Sequence, residues 1–444
     1  MLSVFLLLSI IYIVFNRTSI IEKRKKIMIV TLVTTLFFFS SADPFIGLPL
    51  YMYPMLISII LAVIDRAEIR KSTFSLLLIL IVALLLPVYG IIIGTVNEPY
   101  LILKESNTDT LNIYNQLIIP TIDFTVVKHF IFFVLYIIFV IFNHSIVNDT
   151  IFVTETIKIV EKCYKVLFIA IISEWIIVNL LSGFNDRELM DFIFSFKTLN
   201  MKANWFTWGS YSVALCFTER STMAIVFVYY LIIVKKELLK KSDFFWIALS
   251  FVAVYCTGSS SALVAVIIFV MVILFTTILK NKNIGQLLLV SIISMCVIAF
   301  VVANFDVLLN KIMIFISGES SYNSGFYRIQ SIELGFEAIK NHPLFGVGIG
   351  TVYAHSMLVQ VFANIGLIGF IITVMIHFDT CKFKLNLKNA LLVLMIVIIY
   401  SGTSTLQKFT SPEILLVFII LSCCGQKDVD KNLQSKRCLA NENR

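Results

Sequence analysis

Residues 341–369 read NHPLFGVGIGTVYAHSMLVQVFANIGLIG: a loop with one proline and three glycines, a histidine at the mouth of an apolar run, and two more glycines inside that run. Gly346, Gly348 and Gly350 can adopt positive φ and let the backbone come close to a partner, so successive N–H groups can face an anion. The same pattern also suits a tight re-entry into a bilayer. His355 follows, an imidazole able to act as a general base or as a partner for phosphate, or else a hydrogen-bonded anchor at an interface. Gly366 and Gly369 read as small positions that let another segment approach.

Immediately upstream, FYRIQSIELGFEAIK places Ile329, Ile332, Phe336 and Ile339 at spacings of three and four, the pattern of an amphipathic helix over residues 326–340. Its polar side carries Arg328, Ser331 and Gly335 beside Glu333, Glu337 and Lys340. Arg328 has two roles open to it: bidentate binding of phosphate oxygens, or snorkelling toward lipid headgroups. His342-Pro343 ends the helix and leads into the glycines. A nucleotide-binding reading of those glycines fails on context, since no Lys-Ser/Thr follows and no strand precedes.

Three further features carry polar chemistry. Glu219 and Arg220 set adjacent opposite charges in an apolar run, facing a polar cavity or pairing with each other. Glu174 is a carboxylate deep in another run. The stretch TGSSSA at 257–262 offers small hydroxylated residues for close packing or sugar contacts.

The elements that position these residues follow from composition. Of 444 residues, 59% are hydrophobic and 14% charged, with mean hydropathy +0.95. That is the composition of a polytopic membrane protein. A helix needs about 20 apolar residues to cross the hydrocarbon. About thirteen runs approach this length: residues 1–15, 27–43, 46–64, 73–94, 130–143, 166–182, 213–234, 244–257, 261–279, 284–303, 355–376, 389–405 and 412–424. They are apolar on every side, unlike barrel strands, so the expected fold is all-α: a polytopic helical bundle of about 12–13 transmembrane helices in one domain.

Lys and Arg set the orientation. In this helix count about 25 of the 35 fall on one side, including Lys23 to Lys26, Arg66, Arg70, Lys71, Lys382 and the tail. That side is the expected cytoplasmic face, and it accounts for the net charge of +8 without a nucleic-acid partner. The long loops, residues 95–129, 183–212 and 304–354, fall on the opposite side, which makes the outer face the working face. Residues 144–165 read as a cytoplasmic surface helix. Residues 1–15 read as a retained first helix, because their basic cluster follows the apolar run and no cleavage site appears. All eight cysteines lie in apolar runs, at cytoplasmic ends or in the tail, with no spacing for an outer disulfide or a metal. The Asn-X-Ser/Thr triplets at Asn16, Asn143 and Asn148 are on the cytoplasmic side, where they are not glycosylation sites.

Taken in order, these features resemble the O-antigen polymerase and O-antigen ligase family, the Wzy-type polymerases and their ligase relatives. The corresponding residues are Glu219-Arg220-Ser221, Ser259-Ser260-Ser261, Arg328, His342-Pro343-Leu344-Phe345-Gly346-Val347-Gly348, His355-Ser356 and Gly366-Leu367-Ile368-Gly369. The likeness spans residues 217–369 and is most specific over 328–369. Arg220 stands where the family has Pro, Ser260 where Arg is common, and Ser356 where Asn is usual.

The resemblance implies glycosyl transfer at the outer face of the cytoplasmic membrane, with an undecaprenyl-pyrophosphate-linked oligosaccharide as donor. Arg328, with Arg220, His342, Gly346, Gly348 and Gly350, would hold the substrate. His355 would be the base, with Glu219 as second candidate. No cofactor, nucleotide sugar or metal is called for. The implied partners are membrane lipids, a chain-length regulator and a flippase. The departures suit a polymerase with a specialised repeat unit; a ligase acting on lipid A core is the alternative. A polysaccharide flippase or other transporter is the rival class, disfavoured because no internal repeat is found and the polar features gather on one side.

Overall fold

The computed structural model describes residues 2–38, 49–101, 117–180, 206–207, 210–211, 226–230, 233, 241–258, 324–383, 409 and 411–421. Within them the fold is all-α apart from two short antiparallel ribbons. The helices are α1 (Leu2–Phe15), α2 (Ile20–Phe38), α3 (Met52–Ile64), α4 (Lys71–Ile92), α5 (Phe124–Phe142), α6 (His144–Val147), α7 (Thr150–Leu180), α8 (Lys241–Thr257), α9 (Ser324–Asn341) and α10 (Met357–Cys381), followed by α11 (Pro412–Leu421). Residues 226–230 are also helical, inside the run expected over 213–234. The expected spans 261–279, 284–303 and 389–405 lie outside the described residues, as do Glu219, Arg220 and Ser259 to Ser261.

Among the described residues two helices, α4 and α10, are long and apolar enough to cross a membrane. In α4 only 28% of the apolar window is buried, and Leu78, Val82, Leu85, Tyr89 and Ile92 all face outward. An apolar helix with an apolar exposed face is matched to hydrocarbon rather than to water. The other apolar helices of the described residues are shorter. α10 is the better covered of the two, packing against α4, α5 and α9.

The helices meet in a largely aliphatic core into which large aromatic rings are packed. Phe133, Tyr136 and Phe139 of α5, Tyr164 and Phe168 of α7, and Phe227, Tyr229 and Tyr230 are all fully buried. Edge-to-face pairs such as Phe168–Tyr230, with centroids 5.0 Å apart, orient the helices as well as filling space. Caps set the starts: the Asp123 carboxylate accepts from the Val126 N–H at 2.9 Å at the head of α5, and Asp149 accepts from Ile151 at 2.9 Å at the head of α7.

One expectation is corrected here. Residues 144–165 and 166–182, read as a surface helix and a separate span, are almost entirely one continuous helix, α7. Its first half carries charges outside but buries Phe152, Val153, Thr156, Ile157 and Val160 on one side. That stripe continues without a break into the apolar half through Tyr164, Leu167, Phe168 and Ile171, so the helix has no reason to stop at Lys165.

The ends of the bundle differ in character. At one end, Arg24 of α2 is almost fully buried; it bonds Asp65 at 2.6 Å and the Phe142 carbonyl at 2.7 Å, joining α2, α3 and α5. Lys25 pairs with Asp149 at 2.8 Å and holds that carboxyl below the usual carboxylate range. Arg70 pairs with Asp379 at 3.0 Å, Thr73 also donates to Asp379, and Asn148 donates to the Thr380 carbonyl at 2.7 Å. Arg24, Lys25 and Arg70, three of the basic residues assigned to one side from the sequence, are thus gathered at one end. The opposite end holds the C-terminus of α4, the start of α5, the β1–β2 ribbon (Tyr100–Leu101 with Leu117–Ile118), α9 and the glycine loop.

Arg24→Ala would leave Asp65 and the Phe142 carbonyl without their shared donor. It is expected to destabilise the folded protein by about 3 kcal/mol, read as a shift in unfolding of the purified protein in detergent. A shift below about 1 kcal/mol would mean that the two acceptors are hydrated and that Arg24 is no clamp.

Candidate functional site

The site begins with a break in a helix. Gly366 interrupts α10 at φ +65° and ψ −178°, a conformation open to glycine. The break withdraws the N–H groups of Leu367 and Ile368 from the carbonyls of Ala363 and Asn364, their ordinary partners one turn back. The loop after α9 takes up all four. Leu367 donates to the Pro343 carbonyl and Ile368 to the Leu344 carbonyl, both at 3.0 Å, while Val347 donates to Ala363 at 2.8 Å and Gly348 to Asn364 at 3.0 Å. Every group freed by the break is satisfied, as a buried backbone requires.

Asn364 completes the lock. Its Oδ1 accepts from the N–H groups of Thr351 and Val352 at 3.0 and 3.1 Å, and its Nδ2 donates to the carbonyls of Val352 and Gln360, both at 2.7 Å. Gly346 sits where a Cβ would lie 2.6 Å from the Asn364 backbone. Gly350 lies against His129 of α5, and Gly348 against Pro87 and Ile91 of α4. The glycines therefore let the loop thread between α4, α5 and α10. The amides of Val347, Gly348, Thr351 and Val352 point inward to α10 or the loop itself, and that of Gly346 returns to the His342 carbonyl. A phosphate nest built on Gly346 and Gly348 would need amides that are already committed.

α9 lies on this assembly with an unexpected face. The buried positions are Ser331, Leu334, Gly335 and Ala338, whereas Phe336, from the expected apolar stripe, is 56% exposed. The reason is proximity. A Cβ on Gly335 would come within 2.6 Å of Val359 Cγ1, so only small residues let α9 approach α10 so closely. Of the expected apolar stripe, Phe336 is turned to the outer side and Ile329, Ile332 and Ile339 are half-buried, while Leu334 packs inward.

Two polar groups result, one toward each end of α9. Near the start, the His355 N–H donates to Ser331 Oγ at 3.1 Å. The Tyr353 hydroxyl stands 3.0 Å from each ring nitrogen of His355, with the two rings edge to face. Arg328 is one turn before Ser331 on the helix backbone. At the other end, His342 Nε2 is 3.2 Å from Glu98 Oε2, which also accepts from the Tyr100 hydroxyl at 3.1 Å. Asn341 Nδ2 reaches the Tyr100 oxygen at 3.5 Å. The hydrogen bond from His342 holds the Glu98 carboxyl below its usual value, and burial pushes the Tyr100 phenol up to about 12. From Ser331 to Asn341 the helix rises about 15 Å, so His342 and His355 do not share one spot.

Glu98 and Tyr100 were not among the residues singled out from sequence, and neither were Asn364 and Gln360. Glu98 is 244 residues from His342 along the chain, so no local spacing links them. Asn364 left a faint trace as an amide within an apolar run. Among the described residues no group of three or more His, Cys, Asp or Glu could hold a metal ion.

Residues 245–374 match the family model described as O-Antigen ligase. The chain contains an O-antigen ligase family domain. No curated protein and no solved structure matches the chain. The O-antigen ligase domain takes in α8 from Phe245, α9, the glycine loop and α10 beyond the break at Gly366. Arg328, His342 and His355 are inside it; Glu219, Arg220 and Glu98 are outside.

Gly366→Ala would put a Cβ 2.3 Å from the Leu344 carbonyl oxygen, whereas Gly94, also at positive φ, has open space around it. Gly94→Ala should cost about 1 kcal/mol from backbone strain alone, and Gly366→Ala should cost at least about 3 kcal/mol more because the loop must move. Equal melting shifts for the two would show that the loop–helix lock is slack.

Glu98 also gives a pH signature. Its folded carboxyl titrates below its unfolded value near 4.5, so its contribution is present above that value and lost as pH falls through the folded one. The stability difference between wild type and Glu98→Gln should therefore shrink as pH falls from about 5 through the lowered folded value. A constant difference across that window would mean that the carboxylate charge is not what matters.

Proposed function

We propose that the protein polymerises a surface polysaccharide, joining undecaprenyl-pyrophosphate-linked oligosaccharide repeats at the outer face of the cytoplasmic membrane. The observation that supports this reading best is the Ser331–His355 hydrogen bond. It ties the backbone of His355 to α9 one turn from Arg328, while the Tyr353 hydroxyl contacts the imidazole, all within the matched domain and at the end of the bundle away from Arg24, Lys25 and Arg70. In this reading the chain is a single multi-pass bundle, with the expected spans beyond α4 and α10 completing it.

The chemistry asks for two things. The leaving pyrophosphate gains charge as the glycosidic bond breaks, and Arg328 offers the fixed, doubly donating cation that such a group needs. The acceptor hydroxyl must lose a proton, and His355 is the base, with the Tyr353 hydroxyl bracing its ring. Glu219 and Arg220 remain the second carboxylate and a second cation in this proposal. The description of the matched family favours a second reading, a ligase that transfers the glycan to lipid A core, with the same donor and the same catalytic groups.

The experiment is deletion of the gene in its host, with the surface glycan run on a gel and complemented by wild type, Arg328→Ala or His355→Ala. A polymerase predicts a single repeat still attached to its anchor, a ladder restored by wild type, and at least a hundredfold loss of polymer with either variant. Complete loss of surface repeats would favour the ligase or a flippase. An unchanged ladder would sink the glycan reading.

A further inference from the structure

His342 belongs to the motif that carried the resemblance, yet its surroundings do not suit a phosphate. Glu98 Oε2 lies 3.2 Å from its Nε2, and the carboxyl is kept ionised by that contact and by the Tyr100 hydroxyl. Glu333 and Glu337 are exposed on the same half of α9, against Lys340 as the fixed cation. The C-terminus of a helix is also the negative end of its dipole, and Asn341 ends α9. All these terms disfavour an anion here. At the other end of the helix the dipole is positive and Arg328 adds a full charge.

What remains at the His342 end are directional polar groups. Glu98 is 41% exposed and has a second carboxylate oxygen, His342 Nδ1 has no partner among the described residues, and the Asn341 amide is exposed. Acceptors and donors of this kind, held by a buried tyrosine and the β1–β2 ribbon, match the vicinal hydroxyls of a sugar. We infer that Glu98, His342 and Asn341 form a subsite for uncharged sugar hydroxyls, so that the lipid-linked substrate lies along α9 with its pyrophosphate at the Arg328 end and its glycan at the His342 end. This rests on the glycan-transfer reading and adds the direction in which the substrate lies. About 20 Å of helix separates Arg328 from Asn341, so the subsite reads sugars beyond the reacting one.

The test measures binding to the purified full chain in lipid nanodiscs, with two probes: a polyprenyl pyrophosphate carrying no sugar, and the polyprenyl-pyrophosphate-linked oligosaccharide of the host. Arg328→Ala should weaken both. Glu98→Gln should weaken the sugar-bearing probe about tenfold, the loss of one charge-assisted hydrogen bond, and leave the bare probe within about twofold. Should Glu98→Gln not fold, Asn341→Ala at the exposed helix end reads the same split. Equal weakening of both probes, no change in either, or tighter binding of the bare probe alone would overturn the assignment while leaving glycan transfer standing. Wild-type protein that binds neither probe would overturn both.

Discussion

The arrangement of the glycine-loop end of the bundle depends on the break at Gly366. A helix interrupted inside an apolar bundle exposes two carbonyls and two amides that lipid cannot satisfy, and each would cost several kcal/mol if left alone. Here the loop after α9 supplies four complementary groups in one short stretch, and Asn364 adds four side-chain bonds beside them. Neither part is satisfied without the other. The loop is therefore as firmly placed as a helix, and so are the residues that lead into and out of it: His342 before the turn, His355 after it.

A second constraint fixes the opposite end. Arg24 ties α2 to α3 through Asp65 and to α5 through the Phe142 carbonyl, Lys25 ties α2 to α7 through Asp149, and Arg70 ties α4 to α10 through Asp379. Charge ties one end of α10, and backbone exchange ties the other. Between them the core contains interleaved aromatic rings, with His377 held by Tyr136 and the Thr373 carbonyl as a satisfied polar pair. A helix fixed at both ends carries the loop as a rigid scaffold, which is what a site assembled from distant segments needs.

The division into a basic end and a glycine-rich end was legible in the sequence, because Lys and Arg clusters and hydropathy report one-dimensional facts. The continuity of α7 was hidden by a change in composition at Lys165, where charged residues give way to apolar ones while the buried stripe runs on. The face of α9 was misread for a related reason. Hydrophobic periodicity assumes that bulky residues pack inward, but a helix resting on α10 at Gly335 buries Ser331, Gly335 and Ala338 and turns Phe336 out. The Glu98–His342 pair was invisible, since only the tertiary fold brings the segment after α4 to the end of α9. The glycines drew the eye for their freedom, and the structure uses that freedom to thread a loop between three helices.

That use of the glycines shifts the burden of charge recognition. In a phosphate-binding loop the backbone amides carry the anion, and side chains refine the fit. In this loop the amides of Gly346, Val347, Gly348, Thr351 and Val352 are turned inward, so an anion at this face must be met by side chains and by the positive end of a helix. Along α9 those resources are unequally distributed: Arg328 and the helix N-terminus lie at one end, Glu98 and the helix C-terminus at the other. A substrate with one charged end and one hydroxylated end has a single favourable direction on such a surface. In the proposed reading the polarity of α9 would orient the substrate by electrostatics, with the Ser331 bond to the His355 backbone keeping His355 beside the end where the charge would fall.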